Sequence, residues 1–173
     1  MKKLSMTFAA ALFAFGASAS LAQSTPNDAQ IAAIVVAANT VDINAGKLAK
    51  SKASNKEVKA FAQRMITDHT GVNKQATALV TKLHVKPEES DASKGLKADG
   101  DKMIAHLKPL KGPAFDKDYI DNEVTYHESV LDTIDKTLLP NAKNAELKDL
   151  ITKVRPAIDA HLQHAKQIQS AMK

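Results

Sequence analysis

Four stretches of this chain place apolar residues at alternating steps of three and four. Three of the four break the pattern once, each time with a histidine near the middle. The first runs Ile31, Ile34, Ala38, Val41, Ala45, Leu48. The second runs Val58, Ala62, Met65, His69, Val72, Ala76, Leu79, Leu83. The third runs Ile120, Val124, His127, Leu131, Ile134, Leu138. The fourth runs Leu147, Ile151, Val154, Ile158, His161, Ala165, Ile168, Met172. Three-four spacing keeps one face of a helix turned to a partner, so each stretch reads as the seam of a bundled helix. No segment shows the period of two expected of a half-buried strand, and Ala, Lys, Leu, Glu and Gln dominate. The expected class is all-α.

Punctuation divides the helices. Pro26 opens the first, with Thr25 and Asp28 spaced as a capping box, and Ser54 with Glu57 forms a second such box. Pro87, the Pro109-Gly112-Pro113 cluster and Pro140 separate the later segments, and Asn144 is placed to cap the last helix. The main helices are expected over about 27–53, 55–84, 114–138 and 145–172. A shorter one is expected over about 92–108, weakened by Gly95 and Gly100. Pro156 falls inside the fourth main helix, where it removes a donor and crowds the carbonyl of Thr152. Short connections make antiparallel hairpins of the first and last pairs. The connection between the second and third is long enough to run the length of a bundle. That pattern predicts a ferritin-like four-helix bundle with a long crossover containing a short extra helix. A plain up-down bundle with one helix packed outside is the alternative.

The first 22 residues stand apart. Lys2 and Lys3 precede an uncharged, mostly apolar run from Leu4 to Phe15, followed by small residues up to Ala22. This is the pattern of a secretory signal peptide, expected to be cleaved after Ala22, or after Ala19 at a second candidate site. The run is shorter than the ~20 residues of a membrane span, and no Cys follows it to carry a lipid. Residues 23–173 then form the bundle domain, periplasmic and without a transmembrane span. The full chain has 24 basic and 19 acidic residues, and the leader removes two Lys, so the mature net charge is +3. Those charges are interspersed. Only Phe61, Phe115, Tyr119 and Tyr126 remain as aromatics, too few to stack on a nucleic acid, so no nucleic-acid partner is expected. The absence of Cys excludes thiol catalysis, disulfide frameworks and cysteine-held zinc or iron–sulfur centres.

The three seam histidines fall near one depth when counted at ~1.5 Å per helical residue. The first helix has no histidine but carries Asp42 on the Val35–Asp42–Ala49 row beside its seam. Glu123 lies one turn before His127. Asp68 precedes His69, and Tyr119 and Tyr126 flank His127. Two readings follow. Either His69, His127 and His161 form a structural polar layer hydrogen-bonded to Asp42, Glu123 or a tyrosine, or the five residues hold a divalent transition metal, for which imidazole and carboxylate are suitable donors. His164 makes an H-x-x-H pair with His161 but sits on the flank. His84 and His106 lie near element ends.

Two runs resemble the bacterial DUF4142 family: Ala37-Ala38-Asn39 through Asp42-Ile43-Asn44-Ala45-Gly46-Lys47-Leu48-Ala49, and Val58 through His69, with its Phe-Ala-x-x-Met-x-x-Asp-His stretch. Tyr119 with His127, and Pro156 with His161-Leu162, resemble it too. The resemblance implies a ferritin-like bundle exported to the envelope and, the family having no settled activity, supplies no catalytic residues. Di-iron bundles need Glu-x-x-His on two helices. Here Ile66 and Ile158 stand three residues before His69 and His161, so that chemistry is disfavoured. No phosphate loop, nucleophile elbow or H-E-x-x-H pair is present, nor the ~10-residue alternating strands of a membrane barrel. The expected function is a non-enzymatic envelope protein binding a small ligand, a metal or an envelope partner. The alternative is a mononuclear metal enzyme or carrier. The export reading predicts that protein from the periplasmic fraction has the intact mass of a chain starting at Gln23, or at Ser20 by the second site. Full-length chain recovered only from membranes would contradict it.

Overall fold

The computed structural model describes residues 25–172. The expected leader and both cleavage sites lie outside them. Five helices make up the described chain: α1 Asp28–Lys52, α2 Lys56–Lys82, α3 Asp91–Leu107, α4 beginning as Gly112–Thr133, and α5 Ala145–Ala171. Helix α4 widens into a single π turn over Ile134–Leu138 and ends with Leu139–Asn141. Pro140 therefore sits in the last turn of α4 rather than after it. Pro156 lies on the exposed side of α5, where its missing donor faces water.

Two of the expected caps are displaced by one or two residues. Asn27, not Thr25, caps α1 and forms a box with Gln30. Asn55, not Ser54, caps α2, accepting from the backbone of Glu57 and Val58. The short Asn side chain reaches the N2 and N3 amides as well as Ser does, so spacing alone did not separate the candidates. Asn144 caps α5 as expected.

Contacts at the two ends fix the direction of every helix. At the α1–α2 turn, Asp116 near the start of α4 accepts from the backbone of Ser54 and Asn55 and from the Ser54 hydroxyl. At the opposite end, Asp28 accepts from the backbone of Lys143 and Asn144, just before α5. Lys82 at the end of α2 pairs with Glu146 at the start of α5. Helix α3 travels from one end to the other. The Glu88 amide before it donates to Ala29, and Lys52 donates to the carbonyl of Lys108 after it. Helices α2 and α4 thus run parallel, as a crossover connection requires.

Helix α3 lies along α1, so α1 is covered on more than its seam. Val35, Asp42 and Ala49, the row beside the seam, are all buried. The approach is closest at Gly100, where a Cβ would come within 2.7 Å of a Val41 methyl carbon. By length and composition α1 is apolar enough to cross a membrane, against the expectation that no segment after the leader is. In the fold that surface is packed against α2, α3 and α4.

The core has two halves. Phe61, Met65, Phe115, Tyr119, Ile120 and Ala165 belong to the half nearer the α1–α2 turn. Ile31, Ile34, Ile134, Leu147, Ile151 and Ile158 belong to the other. Between them, at the level of Asn39 and Asp42 on α1, lies a buried polar layer.

Asp116 is buried and has three neighbouring donors, so its loss strands groups at a helix start. Asp116→Ala is expected to lower the unfolding free energy by about 1–3 kcal/mol, while replacing the exposed Asp99 should change it by less than about 0.5 kcal/mol. Urea denaturation of the three proteins checks this.

Candidate metal centre

The polar layer brings together the three seam histidines, one each from α2, α4 and α5. Asp42 joins them from α1. His69, His127 and His161 are 4%, 1% and 1% exposed, and Asp42 and Glu123 are 1% and 3% exposed. The rings form a triangle with centroid separations of 5.2, 5.5 and 5.9 Å. A ring nitrogen of each lies within 4.8 Å of one on both others. Asp42, Glu123 and His127 form a second such group, sharing His127. All five candidate residues therefore fall in one cluster.

Each imidazole is held from outside through one nitrogen. His69 Nδ1 is 2.6 Å from Asn39 Oδ1. The Asn39 amide nitrogen donates to the Val35 carbonyl, which fixes the oxygen as the atom facing His69. His127 Nδ1 is 2.9 Å from the Glu123 carbonyl. His161 Nε2 is 2.9 Å from Asp68 Oδ2. Every outer partner is an acceptor, so in the neutral form of each ring the outer nitrogen carries the proton and the inner nitrogen presents a lone pair.

The inner atoms are His69 Nε2, His127 Nε2 and His161 Nδ1. All three are buried without a hydrogen-bond partner, and so are both Asp42 carboxylate oxygens. Asp42 Oδ2 stands 2.9 Å from His69 Nε2 and 3.4 Å from His127 Nε2, without the alignment of a hydrogen bond. The three rings thus bring a nitrogen each within 4.8 Å of one another, and Asp42 stands against two of them. A cation, whether a metal ion or an added proton, would make that arrangement more favourable.

The resemblance in sequence has its counterpart here. A sequence model of a domain of unknown function, DUF4142, matches residues 14–168. The chain belongs to the DUF4142 family. No curated protein and no solved structure matches it. In this DUF4142 chain the Phe61-to-His69 stretch does two things. Phe61, Ala62 and Met65 fill one half of the core, and the last two residues, Asp68 and His69, serve the polar layer.

Sequence reasoning placed the five candidates but missed two supports. Asn39 is buried behind His69, and its only signal was a polar residue one turn before Asp42. Asp68, noted only as a neighbour of His69, reaches across to His161. The two tyrosines differ. Tyr126 donates to the Ala38 carbonyl at 2.8 Å, while Tyr119 is fully buried beside Glu123. His164 packs its ring against Phe61 at 5.4 Å, outside the triangle. His84 and His106 are exposed.

Charge is apportioned unequally in the layer. Burial pushes the Asp42 carboxyl up, but His69, then His127 and His161, outweigh it and hold it below its ordinary range. Burial pushes Glu123 well above its ordinary range, and the Asp42 charge adds to this, so Glu123 keeps its proton. Burial raises Tyr119 and Tyr126 as well, helped by the two carboxyls. Burial lowers His127 against the pull of Asp42. It lowers His161 to about 4 despite the Asp68 hydrogen bond. The Asp42 carboxylate is thus favoured in its charged form, and His127 and His161 in their neutral forms.

These directions set the acid response of the metal-free protein. His127 and His161 bind protons less readily folded than unfolded, so stability is lost as pH falls below the unfolded value of ~6.5, down to about 4 for His161. Asp42 and Asp68 add to the loss only below their ordinary value of 3.8. Glu123 works oppositely: its contribution is complete below its unfolded value and is lost as pH rises through its folded one. Urea denaturation of metal-stripped protein from about pH 7 to about pH 4 should show falling stability, and Glu123→Gln should make the fall steeper. Stability that is flat or rising on acidification would contradict the assignment.

Proposed function

We propose that this protein is an exported, envelope-located binder of one divalent transition-metal ion, held by His69, His127, His161 and Asp42. The observation that carries the reading is the convergence of three ring nitrogens, each ring backed by an outer acceptor, with a buried carboxylate against two of them. Metal-bound histidines are characteristically oriented this way, with the far nitrogen donating to a carboxylate, carbonyl or similar acceptor. Neutral Glu123 would be a supporting group that keeps the total negative charge at one.

Imidazole and carboxylate donors suit zinc, iron, copper or manganese. No thiol is involved, so the donor set is indifferent to an oxidising compartment, in keeping with the leader-like pattern of residues 1–22. Burial of all four donors favours a resident ion over a carrier that must release its cargo, because exchange requires parting the helices. When bound, the ion would supply a Lewis-acid or redox centre, while the chain's own residues orient the ligands and exclude water.

Calorimetry on metal-stripped protein at neutral pH should detect one saturable site for zinc or manganese. At a free metal concentration a hundredfold above Kd, stability should rise by about 2.7 kcal/mol. His127→Ala should abolish that increment, and His84→Ala should retain it. Absence of saturable binding by every one of zinc, manganese, copper and ferrous iron would leave the structural polar layer as the correct reading.

A further inference from the structure

The polar layer is bordered by two cavities of different character. One, of about 250 Å³, lies between α1, α3 and α4 and touches Asp42 and Glu123. Its walls include Asp99, Asn122 and Thr125, so it is a polar, wettable space. The other, of about 60 Å³, touches Asp42, His69 and His127 from the opposite half of the core. Apart from the layer itself, its walls are mostly apolar, with Val35, Val72, Val130, Ile134 and Ile158 among them. Tyr126 and Leu96 line both cavities.

Two interruptions of helical regularity meet at the apolar cavity. The π turn of α4 spans Ile134–Leu138, and both of its end residues line the cavity. A π turn inserts one residue into the helical repeat and re-aims the side chains around it, a local cost that recurs where a helix borders a functional site. On α5, Pro156 stands between Val154 and Ile158, which also line it. A well-packed core closes voids, because an empty one forfeits contact energy. Here a π turn of one wall helix and a helix-interior proline of another both stand beside the space.

We infer that this apolar cavity is the chamber for a small uncharged ligand of two or three heavy atoms, which binds the metal held by His69, His127, His161 and Asp42. The inference rests on the metal-binding reading. Size sets the upper limit: a cavity of about 150 Å³ takes benzene and a single water needs ~10–15 Å³, so this space suits a diatomic or triatomic molecule. Away from the layer its walls carry no Lys or Arg, and the aliphatic side chains of Val35, Val72, Val130, Ile134 and Ile158 favour an uncharged occupant. Its contact with three of the four metal-holding residues places an occupant beside the ion. The ligand class is therefore a diatomic gas or a molecule of similar size and polarity.

The test uses the full-length mature protein loaded with ferrous iron without oxygen, with nitric oxide as the probe and iron content measured separately. The loaded protein should form a nitrosyl adduct, read by its electron paramagnetic resonance signal. Val130→Phe, and independently Ala38→Leu, fill the cavity without touching a metal-holding side chain. Each should keep one equivalent of iron while weakening the adduct about tenfold or more, because the probe must displace a packed side chain. Thr125→Leu, which lines only the polar cavity, should leave the adduct unchanged. Iron bound with no adduct in the parent overturns the chamber alone. So does an adduct unaffected by whichever filling variants retain iron and fold, or one lost in Thr125→Leu instead. Failure to bind iron or any other metal overturns the metal reading, and the chamber with it.

Discussion

The Asp42 carboxylate is buried, and most of the centre of the molecule is arranged around it. An ionised carboxylate buried alone costs several kcal/mol, so a protein that keeps one must match it with positive charge or donated hydrogens. His69 Nε2 stands 2.9 Å from it and His127 Nε2 3.4 Å, and each neighbouring imidazole has a second acceptor on its outer side. Those outer acceptors are Asn39, the Glu123 carbonyl and Asp68. The one nearby carboxyl stays neutral rather than adding a second charge. The layer is thus electron-rich at its centre and complete at its rim.

Such a centre depends on four helices arriving at the same level, and the ends of the bundle arrange that. Asp116 ties the start of α4 to the α1–α2 turn, and Asp28 ties the start of α5 to the start of α1. Both are carboxylates at helix starts, where unpaired amides and the helix dipole favour negative charge. With every main helix pinned at one end to a neighbour, positions 42, 69, 127 and 161 meet. Helix α3 then closes the open side of α1. Gly100 allows contact with Val41 that a Cβ would prevent, which keeps Leu96 over both cavities.

Much of this was legible in the sequence because bundle seams follow a simple period and a histidine on a seam has nowhere to go but the core. The same counting put Asp42 and Glu123 at the right depth. It could not reach Asn39 and Asp68, because their partners lie on other helices and depend on rotation about each axis, which a seam fixes only roughly. The π turn was invisible for a related reason. Ile134 and Leu138 fit the three-four pattern whether or not one residue is inserted between them and the next turn. The buried breadth of α1 was also under-read. Its extra covered face comes from α3, whose Gly-containing sequence gives a weak helical signal and no statement of where it packs.

The proposed metal site accounts for more of the layer's energetics than rigidity alone does. A polar network inside a core is tolerable when every member is satisfied and is worse than apolar packing when half are not. Here satisfaction stops at the inner edge: three ring nitrogens and both Asp42 oxygens lack hydrogen-bond partners. Leucines or methionines at the seam positions would have joined the two halves of the core into one without that cost. The outer partners make the contrast sharper. The outer nitrogen of each imidazole faces an acceptor other than Asp42, as a cation at the centre would require. The same ion would bind α1, α2, α4 and α5 to a common point, so the interruption of the core becomes the place where its halves are joined.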